Sequence, residues 1–187
     1  TRRSNSAMPL PETSLDIAVY SAFTDDPRDA KRLKLLPHLL YPDADWWLWM
    51  DWPFRLLVPV ERLVEGFEDA QIVGFRHSRT CCAYVEHATC ARMAKDNIDT
   101  MRRQMDRYAG ERFPRNYGLL ECGILLRRNT PEVRAFNEAW WAEVEAGSIR
   151  DKLSVGYAAW RAGVKWDCWP GTVWENEFTE RVECNAI

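Results

Sequence analysis

The chain has 187 residues, 47% of them hydrophobic and ten of them tryptophan, which suits one domain with a substantial core and excludes a disordered protein. Its net charge of -3 comes from interleaved acidic and basic residues, so there is no electrostatic case for a nucleic-acid partner. No apolar run approaches the roughly 20 residues of a membrane span, and no signal-peptide core precedes Leu15, so we expect a soluble, cytoplasmic protein.

The cysteines give no sign of a disulfide framework or a zinc site. None of the six forms a Cys-x-x-Cys pair, and no two histidines have zinc-ligand spacing. We expect reduced and mostly buried thiols.

The sequence of the amino-terminal half predicts a flexible leading segment, four strands and one interrupted helix. Residues 1–14 are polar and contain two prolines, which indicates a flexible lead before a domain at 15–187. The stretch LDIAVYSAF then predicts a buried strand. Asp26 before Pro27 indicates a helix start, and Pro37 interrupts that helix. Further strand-like stretches follow at WWLWMDW, FRLLVPV and QIVGF.

The carboxy-terminal half predicts one longer strand and three helices. The strand is GLLECGILLRR, and apolar residues at helical spacing predict helices over 97–108 and 131–144, the second capped by Thr130. A third helix is expected to begin at Ser148, and the tryptophan-rich segment after it to close one edge of a sheet. Strands that alternate with amphipathic helices predict a single α/β domain whose parallel or mixed central sheet is flanked by helices.

Three aspartates in DADWWLWMDW, residues 43–52, are candidates for a metal ligand. Asp43 and Asp45 spell the Asp-x-Asp motif of sugar-nucleotide enzymes, but they precede the strand, where acidic residues usually serve turns. Asp51 lies at the predicted carboxyl end, where open α/β sheets bind ligands. We therefore choose Asp51 as ligand of a divalent cation, Mn²⁺ or Mg²⁺, that neutralises a diphosphate. The alternative for Asp51 is a structural ion pair.

Basic and histidine side chains are candidates for holding a phosphate or a sugar. His77 and Arg79 follow the strand QIVGF at another carboxyl end, so Arg79 can clamp a phosphate and His77 can bind the sugar or the metal. The alternative for His77 is a structural histidine. Lys34 and His38 lie one turn apart near the end of the first helix, where they either face a phosphate or are solvated, and His38 also suits the helix dipole.

Asp151 and Glu121 are the candidate catalytic bases. Residues 148–151 read Ser-Ile-Arg-Asp, the form of a capping box in which Ser148 caps the helix. The same position places Asp151 beside Arg150 at a helix start, where its carboxylate can take the proton of an acceptor hydroxyl. Glu121 alternates with apolar neighbours on a strand, so it faces either the site or the surface.

The order of these motifs resembles a glycosyltransferase-like family, long catalogued as a domain of unknown function, that includes plant pectin- and mucilage-related proteins and bacterial glycan-synthesis proteins. The resemblance covers about residues 17 to 160. It rests on Lys34, Pro37, His38, Trp49, Asp51, His77, Arg79, Tyr84, Glu86, Arg127, Trp140, Trp141, Arg150, Asp151, Leu153 and Ser154. It implies a GT-A-like (Rossmann-like) fold, a nucleotide-diphosphate sugar donor, a glycan acceptor and metal assistance.

Three departures from the family pattern leave two functions to compare. Trp52 replaces a small residue after the strand-end Asp, Lys152 replaces Gln in the Arg-Asp-Gln-Leu-Ser element, and VYSAFTDDP joins two segments that the family separates. We expect a metal-assisted glycosyltransferase. The alternative is a non-catalytic carbohydrate-binding or scaffold protein that keeps the fold and has lost the donor site. Trp166, Trp169 and Trp174 can stack on sugar rings, and the alternative for them is core filling.

Overall fold

A computed structural model describes residues 15–182, and the predicted lead at 1–14 lies outside them. Within that range the strands are β1 (Ile17–Tyr20), β2 (Trp46–Met50), β3 (Phe54–Leu56), β4 (Ile72–Arg76), β5 (Leu120–Arg128), β6 (Trp166–Cys168) and β7 (Thr179–Arg181). The helices are α1 (Pro27–Leu35), α2 (Ala83–Arg92), α3 (Ile98–Gly110), α4 (Pro131–Ala146) and α5 (Lys152–Ala162). None of the described helices is both long and apolar enough to cross a membrane.

A five-stranded mixed sheet in the order β1-β2-β5-β4-β6 forms the centre of the domain. β1 runs parallel to β2, β4 runs parallel to β6, and β5 lies antiparallel between β2 and β4. The carboxyl ends of the four parallel strands therefore share one edge of the sheet with the amino end of β5. β3 and β7 form a separate antiparallel pair. The predicted α/β fold with a mixed central sheet is confirmed.

Both faces of the sheet are covered, which explains the unbroken run of large side chains in β2. Successive strand residues face opposite sides. Trp47 and Trp49 pack into a cluster with apolar residues of α1, α4 and α5. Trp46, Leu48 and Met50 pack on the other face against the segment after β3 and the residues that follow β6.

Most predicted helices are confirmed, but α2 was not predicted. Asp26 caps α1 and Thr130 caps α4, as the sequence indicates. α2 follows Cys82, whose side chain makes no capping hydrogen bond. Its stability comes from packing, since α2, α3 and α5 share a cluster that includes Ala83, Met101 and Tyr157. Such tertiary contacts leave only a weak periodic signal in the sequence.

The third predicted helix begins at Lys152 rather than Ser148, so the capping-box interpretation of Ser148 is wrong. The Ser148 hydroxyl donates to Asp96 Oδ2 at 2.6 Å, and its backbone N–H donates to Gln104 Oε1 at 3.2 Å. Asp151 is the N-cap of α5, and its carboxylate accepts from the Lys152 N–H at 2.9 Å. Ser148 instead ties the start of the α5 segment to the region around α3.

Candidate active site

Two adjoining pockets open at the carboxyl edge of the sheet, and we call them the inner and the outer pocket. The inner pocket has a volume of about 180 Å³ and is lined by residues that include Lys31, Lys34, Asp51, Glu121, Arg150, Asp151, Lys152 and Trp174. The outer pocket has a volume of about 470 Å³ and is lined by residues that include His77, Arg79, Glu86, Arg92, Lys95, Glu121, Lys152 and Trp174. Glu121, Lys152 and Trp174 line both pockets and mark the boundary between them.

Asp51 presents one oriented carboxylate to the inner pocket. It follows β2, and its backbone N–H donates to the Gly123 carbonyl at 2.7 Å. Oδ1 accepts from the Trp49 indole N–H at 2.6 Å and lies 3.5 Å from the Lys34 ammonium. The side chain remains 42% exposed, and no protein donor within the described residues binds Oδ2. One oxygen is thus held in place while the other is available to a ligand.

Asp43 and Asp45 lie at the opposite edge of the sheet from Asp51. Both precede β2, and Asp45 Oδ2 accepts from the Asp16 N–H at 3.0 Å, just before β1 begins. Neither residue lines the inner or the outer pocket. The Asp-x-Asp motif therefore belongs to the structure at the start of the sheet and not to either pocket.

A buried ion-pair network stands behind Asp51. The ammonium of Lys34 lies 2.7 Å from Asp151 Oδ2 and donates to the Cys122 carbonyl at 2.5 Å. Lys31, one turn earlier on α1, lies 2.9 Å from the same carboxylate oxygen. Burial alone would lower the pKa of Lys34, but Asp151 and Asp51 raise it above its ordinary value. Burial alone would raise the pKa of Asp151, yet Lys31 and Lys34 hold it well below its ordinary value.

An irregularity in β5 makes room for these contacts. The pairing of β4 with β5 jumps from Gly74 opposite Leu125 to Phe75 opposite Glu121, so residues 122–124 are passed over on that side. Bulges of this kind turn backbone groups and side chains away from the regular ladder. Here the carbonyls of Cys122 and Gly123 accept from Lys34 and from the Asp51 N–H.

Glu121 lies at the boundary of the two pockets beside Lys152 and His77. Oε2 accepts a hydrogen bond from the Lys152 ammonium, and Oε1 lies 3.5 Å from His77 Nε2. Glu86 of α2 lies at the same distance of 3.5 Å from His77 Nε2. Burial alone would raise the pKa of Glu86, but its hydrogen bond with His77 and the charge of Lys152 lower it.

The hydrogen bonds of His77 assign its tautomer. Nδ1 accepts from the backbone N–H groups of Arg79 and Thr80 at 3.2 and 3.3 Å. Because a nitrogen that accepts two hydrogen bonds carries no proton, Nε2 carries it and faces Glu86 and Glu121. His77 is therefore placed to orient the carboxylates, and neither of its nitrogens is free for a metal ion.

The other predicted site residues divide between the pockets and the protein core. Arg150 lines the inner pocket, and its Nε is buried without a hydrogen-bond partner among the described residues. Arg79 is exposed at the outer pocket. His38 is buried, lies 2.8 Å from Glu138 and lines neither pocket. The structure thus brings together every predicted site residue except His38.

Two further lysines belong to the site that the sequence analysis did not assign to it. Lys31 precedes Lys34 by three positions, the spacing of neighbours on one helix face, so this signal was available. Lys152 was noted only as a departure from the family pattern. Its contact with Glu121, 31 positions earlier, depends on how α5 packs against β5.

The side chains present fit a divalent cation only if a ligand completes its coordination. In the described part of the chain, no group of three or more His, Cys, Asp or Glu side chains is arranged to hold a metal ion. Mg²⁺ and similar ions often use one or two carboxylates and take their other ligands from substrate phosphates and water. Asp51, with Oδ2 open to the inner pocket, fits that single-carboxylate arrangement.

A mixed α/β sheet with charged pockets beyond its carboxyl edge places the chain among the Rossmann-like ligand-binding proteins, which bind their ligands at this edge. The model of the TOD1/MUCI70, glycosyltransferase-like domain matches residues 17–180, and the chain belongs to this family.

One curated relative and the solved structures complete the comparison. The chain is 27% identical over 143 residues to a protein of Arabidopsis thaliana named "Probable hexosyltransferase MUCI70". The match covers 71% of this chain but only 25% of that protein, so the chain spans about a quarter of its relative. No solved structure matches the chain.

Proposed function

We propose that this domain transfers a sugar from a nucleotide-diphosphate donor to a glycan acceptor. The observation that carries the proposal is the meeting of the two pockets at Glu121, with the carboxylate of Asp51 and several cations in the inner one. Membership of a glycosyltransferase-like family and the name of the plant relative support it. The donor diphosphate occupies the inner pocket and the acceptor the outer pocket.

The inner pocket suits a diphosphate because its accessible donors are cationic. Arg150 is partly exposed and lines this pocket, and a guanidinium binds phosphate oxygens through paired N–H groups. Lys31 is 22% exposed at the same pocket. Lys34 is 1% exposed and fully engaged, so it orients Asp51 and Asp151 rather than the donor.

A divalent cation at Asp51 would neutralise the diphosphate as it leaves. Asp51 Oδ2 is the protein ligand, and the Trp49 indole and Lys34 hold the carboxylate in place through Oδ1. The cation supplies charge stabilisation to the departing oxygen. We propose Mn²⁺ or Mg²⁺ because both prefer oxygen ligands.

Glu121 is the better placed of the two candidate bases. In a direct displacement, the acceptor oxygen forms a bond to the anomeric carbon while the bond to the diphosphate oxygen breaks and its electron pair stays with the diphosphate. The acceptor proton passes to a carboxylate at the boundary between donor and acceptor. Glu121 lies there and has one lysine partner, whereas the Asp151 carboxylate is paired with two lysines that hold its pKa well below its ordinary value.

Thermal melting with a panel of nucleotide diphosphates, with and without Mn²⁺, tests the proposal. A nucleotide at 100 times its dissociation constant should stabilise the fold by about 2.7 kcal/mol. We expect one nucleotide to stabilise the protein and Mn²⁺ to increase the effect. Stabilisation by glycans alone, with none by any nucleotide, would instead favour the non-catalytic carbohydrate-binding protein. The side chain of Trp52, next to Asp51, is 70% exposed, and this is the structural feature that favours the second function.

A further inference from the structure

Trp174 is an exposed aromatic side chain at the boundary of the two pockets. It is 62% exposed, although its neighbour Val173 is 3% exposed and belongs to the core. The ring contacts Phe54 at 5.7 Å between centroids, and the Arg181 guanidinium lies 5.7 Å from the ring centroid. The exposed ring leaves a large apolar surface in contact with water. A ligand that covers the ring would therefore gain the favourable free energy of burying that surface.

Several hydrogen bonds fix the loop that carries Trp174, so the fold itself holds the Trp174 ring in its exposed position. Thr172 and Glu175 exchange two backbone hydrogen bonds of 2.9 and 3.2 Å. The Thr172 hydroxyl accepts from the N–H groups of Trp174 and Glu175, and the Asn176 amide donates to the Thr172 carbonyl. Gly171 has a φ of 84°, and a Cβ there would lie 2.5 Å from the Glu175 carbonyl oxygen. A larger residue at 171 would displace the turn.

The surroundings of Trp174 indicate what the ring would contact. Glu121 and Lys152 line the same boundary and offer a hydrogen-bond acceptor and a donor. Hydroxyl groups around the edge of a pyranose need such partners, while its C–H face is apolar and packs on an aromatic ring. An aromatic wall beside a carboxylate and an ammonium group therefore matches a pyranose ring.

We propose that Trp174 stacks on the pyranose ring of the acceptor residue that receives the transferred sugar. This inference rests on the proposed function, because it takes Glu121 as the base beside the acceptor hydroxyl. Stacking would hold the ring while its hydroxyl approaches Glu121. Trp174 is thus a specificity-determining residue for acceptors that present an uninterrupted C–H face.

Saturation-transfer NMR with the methyl glycosides of glucose, galactose, mannose and xylose tests the inference without requiring turnover. We expect at least one glycoside to bind the wild-type protein and Trp174→Ala to raise its dissociation constant about tenfold, the upper end of what one aromatic contact contributes. Trp174→Phe should recover most of the affinity because a ring remains. Phe23→Ala is the matched control, since Phe23 is also an exposed aromatic side chain but lines neither pocket.

Nucleotide binding by the same variants separates this inference from the proposed function. We expect Trp174→Ala to bind nucleotide diphosphate as the wild type does. Unchanged glycoside affinity in Trp174→Ala, or no glycoside binding by a wild-type protein that binds nucleotide, would overturn the inference and leave the proposed function standing. A loss confined to sugar nucleotides would assign the ring to the donor sugar and overturn it as well. Failure of the wild type to bind any nucleotide would count against the proposed function itself.

Discussion

Asp45 and Asp51 are six positions apart in the sequence but lie at opposite edges of the sheet. β2 lies between them, and five extended residues span about 17 Å. The Asp45 carboxylate is bound at the strand's start, and the Asp51 carboxylate faces the inner pocket at its end. The choice of Asp51 from the sequence depended on its position after a strand, which the structure confirms, whereas its role as a metal ligand stays a prediction.

Asp51→Asn should abolish the Mn²⁺-dependent part of nucleotide binding while the fold stays intact. The substitution keeps the size of the side chain and its acceptor for Trp49 but removes the charge that a cation requires. Melting with nucleotide and Mn²⁺ measures the effect. The double variant Asp43→Asn, Asp45→Asn is the control and should behave as the wild type, because both residues lie at the far edge. Full Mn²⁺ dependence in Asp51→Asn would remove Asp51 as the ligand.

Glu121→Gln should lower turnover by about 100-fold or more, the usual contribution of a positioned general base. Gln keeps the shape and can still accept from Lys152, so nucleotide affinity and melting should change little. Initial-rate kinetics with a responsive acceptor, together with nucleotide titration, separate these effects. An active Glu121→Gln variant would return the role of the base to Asp151.

Asp151→Asn should change how stability depends on pH. The pKa of Asp151 is depressed in the folded state, so its stabilising effect is present above the unfolded pKa of about 4 and is lost as the pH falls through the folded pKa. At pH 7 the variant leaves the buried Lys34 ammonium without its closest charged partner, and the free energy of unfolding should fall by about 3–5 kcal/mol. Urea unfolding at neutral and acidic pH should show that the free energy of unfolding falls less steeply with decreasing pH in the variant than in the wild type.

The exposed Asp29 on α1 supplies the control for that experiment. Asp29→Asn removes one carboxylate from the helix that carries Lys31 and Lys34 without touching the buried network, so its stability and pH profile should follow the wild type. If the free energy of unfolding falls equally steeply with decreasing pH in Asp151→Asn and in the wild type, the pair with Lys34 does not govern stability in acid.

At the scale of elements, the end of α1 is held by a buried arginine from β5. Arg127 donates to the carbonyls of Lys34 and Leu35, to the Asn137 side chain and to the Tyr20 hydroxyl. Burial lowers the pKa of Arg127. The last carbonyls of a helix lack partners within the helix, so this side chain satisfies them and fixes where Lys34 lies.

Arg127→Met should destabilise the fold by about 2–4 kcal/mol, because the Leu35 carbonyl and the Asn137 side-chain oxygen lose their donor and each buried acceptor left unsatisfied costs about 1–3 kcal/mol. The neighbouring Arg128 is the matched control. It is partly exposed and lies 5.7 Å from the centroid of the Trp46 ring, so Arg128→Met should cost less than about 1 kcal/mol. Urea unfolding of both variants measures the difference. Equal losses would show that the α1 end does not depend on Arg127.

The sequence predicted helices and strands well where the local signal was strong. Apolar periodicity located α3, and periodicity together with a capping residue followed by proline located α1 and α4. It failed for α2, which is stabilised by packing, and for the start of α5, where Ser148 binds Asp96 from 52 positions away. A partner so far away in the sequence does not affect the pattern of residues around Ser148, so that pattern could not reveal it.

At the scale of the whole molecule, the strand order was the part that could not be predicted. Alternating elements indicate an α/β sheet, but nothing in the chain shows that β5 lies antiparallel between β2 and β4. That placement makes Glu121, at the start of β5, a neighbour of residues that follow β2 and β4. The candidate residues were therefore named from the sequence, while their division into two pockets and the exclusion of His38 required the structure.

The site also accounts for how an acidic protein could attract the anionic donor that we propose. The chain carries a net charge of -3, yet Lys31, Arg150 and Lys152 line the inner pocket beside the buried Lys34. Attraction at contact distance outweighs the mean charge because salt screens interactions beyond about 8 Å. The overall charge therefore describes solubility and not the ligand.

The central position of β5 has a consequence for folding. Strands β1 and β2 are consecutive strands and can pair early, but β2 and β4 are joined in the sheet only through residues 120–128, which pair with both. Contacts of such long sequence separation form late and cooperatively. The inner pocket and the sheet should therefore appear in a single kinetic phase, with no intermediate that binds the proposed nucleotide before β5 is in place. Stopped-flow refolding monitored in parallel by nucleotide fluorescence and far-ultraviolet dichroism would show the two signals rising together.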